Sequence, residues 1–296
     1  MKLIKSPLRY PGGKSKAINT IIRYLPSNFS EYREPFVGGG SIFIYLKQNF
    51  PKIDIWINDI NQELFLFWKT AQSSLKDLVK EVQQIKSSSS NGRSLFEKMT
   101  TVDVEQLSDF ERAVRFFILN RITFSGTVES GGYSEQAFYK RFTDSSIERL
   151  GEMKDILKDI KITNLDYSKV LKAEGKNVLN FLDPPYLSVT KSKLYGKKGD
   201  LHLSFDHHRF ADEMRECKHD WLITYDDCIN IRENFKSFYL VEWELQYGMN
   251  NYKQKSASKG KELIITNYPH KEEDNLAKVT TNINYSNFQQ LSLFTT

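Results

Sequence analysis

Glu34-Pro35-Phe36-Val37-Gly38-Gly39-Gly40-Ser41 decides how the chain folds. Tyr32 to Phe36 has the character of a strand, three glycines follow, and Ser41 to Phe50 then carries a helical pattern. Upstream, Lys16 to Leu25 spaces its apolar residues as a helix does. Downstream, Lys52 to Asn58 alternates as a strand should, with Ile53, Ile55 and Ile57 on one side. Helix, strand, glycine turn, helix and strand open an α/β sheet, and the glycines let backbone approach a ligand closely. The turn is not the dinucleotide fingerprint, because Phe43 stands where a third glycine is required. Nor does it end in the Gly-Lys-Ser/Thr of a phosphate-binding loop, so a ligand without phosphates fits it best. Asp59, about 20 residues on at the end of the following strand, is placed to accept hydrogen bonds from ribose hydroxyls.

Working outward, Gln62 to Gln84 reads as helical and ends in Ser87-Ser88-Ser89-Ser90-Asn91-Gly92, a flexible link by composition. Phe110 to Phe124 is an apolar helix, followed by the turn-rich Ser125-Gly126-Thr127 and Ser130-Gly131-Gly132-Tyr133. Past residue 150 strands and helices alternate again. Val178 to Leu182 suits a buried parallel strand, Asp206 to Cys217 a helix and Trp221 to Tyr225 another strand. Tyr239 to Tyr247 and Glu262 to Tyr268 read as the arms of a long hairpin. The economical architecture is an α/β sheet interrupted by a mostly helical insertion. Residues 271–296 are polar and read as a tail without a core.

Asp183-Pro184-Pro185-Tyr186 stands immediately after the strand Val178 to Leu182, where ligands bind in open α/β sheets. Two prolines make the turn rigid, fixing an acid and backbone carbonyls at one point. That suits methylation of an amino group such as adenine N6, whose lone pair is delocalised into the ring. Acceptors at Asp183 and the Pro184 carbonyl would bind both amino hydrogens and draw the nitrogen toward a tetrahedral, reactive form. Tyr186 would stack on the base.

Net charge is +5, from 42 Lys and Arg against 37 Asp and Glu, so charge alone says little about partners. Placement says more: Lys253, Lys255, Lys259 and Lys261 crowd one Ser-rich stretch, a local basic patch suited to a polyanion. Apolar runs are strand-sized, far short of the roughly 20 residues a membrane span needs. Met1 to Lys5 is followed by no signal-peptide pattern, and Cys217 and Cys228 show no metal spacing, so a cytoplasmic location is expected. His202, His207, His208, His219 and His270 have no zinc-site spacing, and no metal is expected.

A third segment, Pro7-Leu8-Arg9-Tyr10-Pro11-Gly12-Gly13-Lys14, forms a tight turn ending in a cation. With the glycine turn and Asp-Pro-Pro-Tyr, it resembles the Dam-like DNA adenine-N6 methyltransferases in the motif order called alpha, over roughly residues 6–268. The resemblance implies a Rossmann-like methyltransferase sheet and transfer of a methyl group from S-adenosyl-L-methionine to N6 of a flipped-out adenine in double-stranded DNA. It implies a catalytic domain in two parts, 1–68 and 156–270, a DNA-binding target-recognition insertion at 69–155, and a tail at 271–296. Tyr10, Lys14, Glu34, Phe36, Gly38, Gly40, Asp59 and Asp183 become the expected cofactor contacts, and Asp183, Pro184 and Tyr186 the catalytic turn.

Asn120, Arg121, Phe124 and Ser125 match the family's DNA-contacting stretch, and the lysines of the hairpin match its DNA-gripping loop. Ser125 departs from the asparagine typical of GATC-methylating relatives, which speaks against a GATC target. The ending Gln290-Leu291-Ser292-Leu293-Phe294 resembles the peptide that binds the bacterial β sliding clamp. Expected partners are therefore DNA, the clamp through Gln290, Leu291, Leu293 and Phe294, and a cognate restriction enzyme, at the nucleoid. Rival readings are methylation of RNA or of cytosine N4, and a DNA-binding module that has lost catalysis.

Overall fold

The computed structural model describes residues 3–128, 130–187, 205–245 and 260–269. Strands β1 (Glu31–Glu34), β2 (Asp54–Asn58), β3 (Lys161–Thr163), β4 (Val178–Leu182), β5 (Asp220–Asp226), β6 (Tyr239–Leu245) and β7 (Gly260–Thr266) form one sheet. Their order is β3-β2-β1-β4-β5-β7-β6. The first five run parallel, and β7 enters antiparallel beside β5 and pairs with β6 as a hairpin. This is the Rossmann-like methyltransferase sheet expected from the sequence. Every residue of β4 is buried, as parallel strands covered on both faces must be. β2 departs from its expected one-sided pattern for the same reason: Trp56 and Asn58 are buried along with Ile55 and Ile57.

Strand order reverses between β1 and β4, and the turns leaving β1, β2, β4 and β5 open at one carboxyl edge of the sheet. The glycine turn, Asp59 and Asp183 are therefore brought together by topology.

Short helix α1 (Ile18–Ile21) lies between two 3₁₀ turns, so the helix expected over Lys16 to Leu25 is broken. Pro26 holds Leu25 extended, at ψ 144°, and stops the coil there. α2 (Ser41–Asn49) follows the glycine turn, and α3 (Gln62–Ser73) and α4 (Leu75–Ser88) are separated at Ser74. The serine run is no link: Ser87 and Ser88 finish α4, and Asn91 caps α5 (Gly92–Thr101) by accepting from the Ser94 N–H. Next come α6 (Asp109–Ile122), opened by a Ser108–Glu111 capping box, α7 (Glu135–Arg141) and α8 (Asp144–Gly151).

Helices α3 to α8 all stand between β2 and β3. α6 is their axis, with Ala113 to Ile122 buried without a break. Phe67 of α3 stacks on Phe117 of α6 at 5.9 Å. The expected boundary after residue 68 falls within α3, and the one after 155 lies just beyond α8. α9 (Tyr167–Leu171), α10 (His207–Glu216) and α11 (Ile229–Asn234) complete the cover of the sheet. None of the described helices is long and apolar enough to cross a membrane.

Candidate active site

Asp183 leaves β4 at the point where the strand order reverses. Lys14 reaches it across the edge, its Nζ 2.8 Å from Oδ1 and 2.9 Å from Oδ2. The Thr224 hydroxyl of β5 donates to the same carboxylate at 2.9 Å. Lys14 is 4% exposed, also donates to the Gly12 carbonyl, and rests over the Tyr186 ring at 4.9 Å. The N-terminal turn is thus fastened to the Asp-Pro-Pro-Tyr turn by a nearly buried ion pair. Pro184 is buried beneath it, and Tyr186 leans against Tyr225.

On the other side of the reversal, Asp59 accepts from the Gly38 N–H through Oδ2 and from the Asn61 N–H through Oδ1, each at 3.0 Å. Burial pushes the Asp59 carboxyl up to about 6, against the pull of these two bonds. Asn58 fixes the base of the turn by donating to the carbonyls of Pro35 and Leu165. Gly38 has φ +46°, and a Cβ there would lie 2.8 Å from the Tyr10 ring. That turn needs glycine because Tyr10 packs against it, which adds a protein contact to the ligand approach expected. Gly40, also at positive φ, is the N-cap of α2. The Trp68 indole secures the turn from beneath by donating to the Gly38 carbonyl.

Glu34 is 3% exposed and accepts from the Tyr32 hydroxyl and from the Phe43 N–H at the first turn of α2. Burial raises its carboxyl to about 8. It supports the glycine turn from behind. Phe36 faces an aromatic cluster, with Tyr167 at 5.3 Å, Phe205 at 5.8 Å and Phe210 at 6.0 Å. Tyr10, Lys14, Glu34, Phe36, Gly38, Gly40, Asp59 and Asp183 all lie along this one edge.

The stretch expected to meet DNA divides in two. Asn120 is fully buried, accepting from the Arg9 N–H and donating to the carbonyls of Arg9 and Gly126. Arg121 is 4% exposed and donates to the carbonyls of Arg141 and Pro7. Burial lowers its pKa to about 9, helped by the neighbouring Arg9, Arg149 and Arg141. Asn120 and Arg121, expected within the DNA-contacting stretch, are both buried, and as placed they hold the N-terminal turn to α6 and α7. Phe124 is different, an exposed aromatic at a tight bend where Ser125 takes φ +55°. Lys261 is exposed on β7, whereas Lys253, Lys255 and Lys259 lie outside the described residues, as do Gln290, Leu291, Leu293 and Phe294.

Sequence reasoning missed Thr224, Asn58 and Glu262. Thr224 and Asn58 carry no pattern of their own and matter only through pairing. Glu262 did leave a signal, an acid set directly before the apolar run Leu263-Ile264-Ile265.

The family model for D12 class N6 adenine-specific DNA methyltransferases matches residues 10–249. Type II methyltransferase M1.LlaDCHI of Lactococcus lactis subsp. cremoris is 25% identical over 292 residues, covering 88% of this chain and 94% of the relative. Type II methyltransferase M.MjaIII of Methanocaldococcus jannaschii is 26% identical over 65% of this chain and 72% of its own length. Type II methyltransferase M.CviBI of Paramecium bursaria Chlorella virus NC1A is 25% identical over 90% of this chain and its whole length. Ion pair, glycine turn and family match converge: the chain belongs to the D12 class of N6 adenine-specific DNA methyltransferases.

Proposed function

We propose that the edge between β1 and β4 holds S-adenosyl-L-methionine beside an adenine flipped out of double-stranded DNA, with Asp183 and the Pro184 carbonyl as acceptors for the N6 amino hydrogens. The observation that carries this reading is Asp183 itself, an acid set at the reversal point by Lys14 and Thr224. The donor supplies an electrophilic methyl group on a sulfonium. Residues present fit it. Asp59 keeps spare acceptor lone pairs on a half-buried carboxylate that suits a ribose diol. Phe36 offers an aromatic face, while Lys14 and Asp183 provide a charge of each sign for the amino-acid end.

The chain's own contribution to the reaction is positioning and electrostatics. Tyr186, on the rigid turn, is proposed to stack on the flipped base. Flipping costs a few kcal/mol, which protein contacts to the duplex must repay. Phe124, Ser125 and the hairpin lysines Lys253, Lys255, Lys259 and Lys261 are the proposed contacts, with Asn120 and Arg121 holding that surface in place. Helices α3 to α8 are proposed to carry target recognition. Type II names among the relatives support a cognate restriction enzyme as functional partner, and Gln290 to Phe294 remains the proposed tether to a sliding clamp.

Two substitutions test the assignment together. Asp183→Asn is expected to abolish transfer; the asparagine is preferred to alanine because its amide oxygen can still accept from Lys14 inside the protein. Asp59→Ala is expected to weaken cofactor binding in calorimetry by about tenfold or more, since a hydrogen bond to a charged group contributes roughly 1.5–3 kcal/mol. Unchanged cofactor affinity in Asp59→Ala, or turnover near wild type in Asp183→Asn, contradicts the assigned roles.

A further inference from the structure

Glu262 of β7 is 1% exposed. Strand pairing sets it opposite Asp226 of β5 and Trp243 of β6, so the three side chains share one face of the sheet. No donor among the described residues meets either carboxylate oxygen with hydrogen-bond geometry, and the Tyr186 hydroxyl and Trp243 indole N–H are buried in the same condition. A buried acid without a well-formed hydrogen bond is expensive as an anion. Burial accordingly raises its carboxyl to about 7, with Asp183 and Asp226 pushing the same way while Lys14 and the nearby Tyr186 hydroxyl oppose it.

The groups acting on Glu262 are few. Lys14 comes from the N-terminal turn, Asp183 and Tyr186 from the turn after β4, and Asp226 from β5. β6 offers the neutral Trp243; its Glu242 and Glu244 point to the opposite face. Lys14 therefore stands against three carboxylates, an arrangement that favours retention of a proton.

Methylation creates a need for such a site. As the methyl carbon bonds to N6, its bond to the donor breaks and that electron pair stays with the donor. N6 then carries a positive charge and one hydrogen too many, and a neutral amine returns only when a base takes that proton. The Asp183 carboxylate is already occupied by Lys14 and Thr224. The Tyr186 hydroxyl is in electrostatic contact with both Asp183 and Glu262.

We propose that Glu262 is the resting place of the proton given up by adenine N6, a positioning residue behind the turn that receives it by way of the Tyr186 hydroxyl and later yields it to solvent. This rests on the reading of Asp183 as the N6 acceptor. Atoms and charge balance, since the amine loses one proton and the Glu262 carboxylate becomes a carboxylic acid.

Glu262→Gln keeps the shape and removes the acceptor. Infrared titration of the protein alone is expected to show a buried carboxylic acid that loses its proton as pH rises through neutrality, a signal missing from Glu262→Gln. Single-turnover methylation by wild type should rise over the same pH interval. In Glu262→Gln the rate should fall at least tenfold and the rise disappear, with unchanged affinity for S-adenosylhomocysteine and for DNA. Glu262→Asp, which keeps an ionisable group, should retain a pH-dependent rise. A Glu262→Gln enzyme with wild-type rate and pH profile overturns the proposal, as does a folded Glu262→Asp enzyme as impaired as Glu262→Gln. A wild-type protein that leaves adenine N6 unmethylated contradicts the reading of Asp183 instead.

Discussion

Glu34, Asp59 and Glu262 share a physical condition: each is an acid held close to the reaction edge with its carboxyl raised, to about 8, about 6 and about 7 respectively. Each binds its proton more tightly folded than unfolded. Their stabilising contribution is therefore present below the ordinary carboxylate range and is lost as pH rises through about 6 to about 8. Glu34→Gln, which retains a neutral side chain, should melt at a higher temperature than wild type at pH 8.5 and nearly together with it at pH 4.5; equal melting at both values contradicts the raised Glu34. Asp59 and Asp183 were legible in the sequence because each follows a strand whose pattern is plain. Glu262 was not read as functional, since its setting depends on Asp226, Tyr186 and Lys14, which lie far off along the chain.

Among elements, the strands were easier to read than the helices. Val178–Leu182 and Asp220–Asp226 show themselves as apolar runs, because parallel strands covered on both faces have little room for polar residues. The broken helix around α1 and the capped start of α5 were misread, since Pro26 and Asn91 act on one turn each and composition averages them away. α6 holds the residues whose setting the sequence hides most. Asn120 and Arg121 match a DNA-contacting stretch in sequence, yet their side chains are buried and donate to backbone carbonyls. Arg121→Ala should accordingly destabilise the protein by about 1–3 kcal/mol, the cost of leaving such groups unsatisfied. It should leave the salt dependence of DNA binding unchanged, where loss of a phosphate contact flattens the log–log slope by roughly 0.9. Denaturant melts and a salt titration separate the two roles, and a flattened slope at full stability restores Arg121 to the DNA surface.

At the scale of the whole molecule, one carboxyl edge of a seven-stranded sheet gathers residues distant in the chain, such as Lys14 and Asp183, 169 positions apart. Motif order and the D12 match agree on the family. A peptide covering residues 285–296 should bind a bacterial sliding clamp with the modest affinity of a segment that orders on binding. Leu293→Ala with Phe294→Ala in the full chain should remove clamp binding without lowering activity on short DNA, and equal binding by both proteins contradicts the tether. The central claim is tested most directly by product identity. Plasmid from a host free of DNA methylation, incubated with the protein and S-adenosyl-L-methionine, is digested to nucleosides and analysed by mass spectrometry. N6-methyldeoxyadenosine formed by wild type and absent with Asp183→Asn is the predicted result; N4-methyldeoxycytidine, or N6-methyldeoxyadenosine formed equally by both proteins, would contradict it.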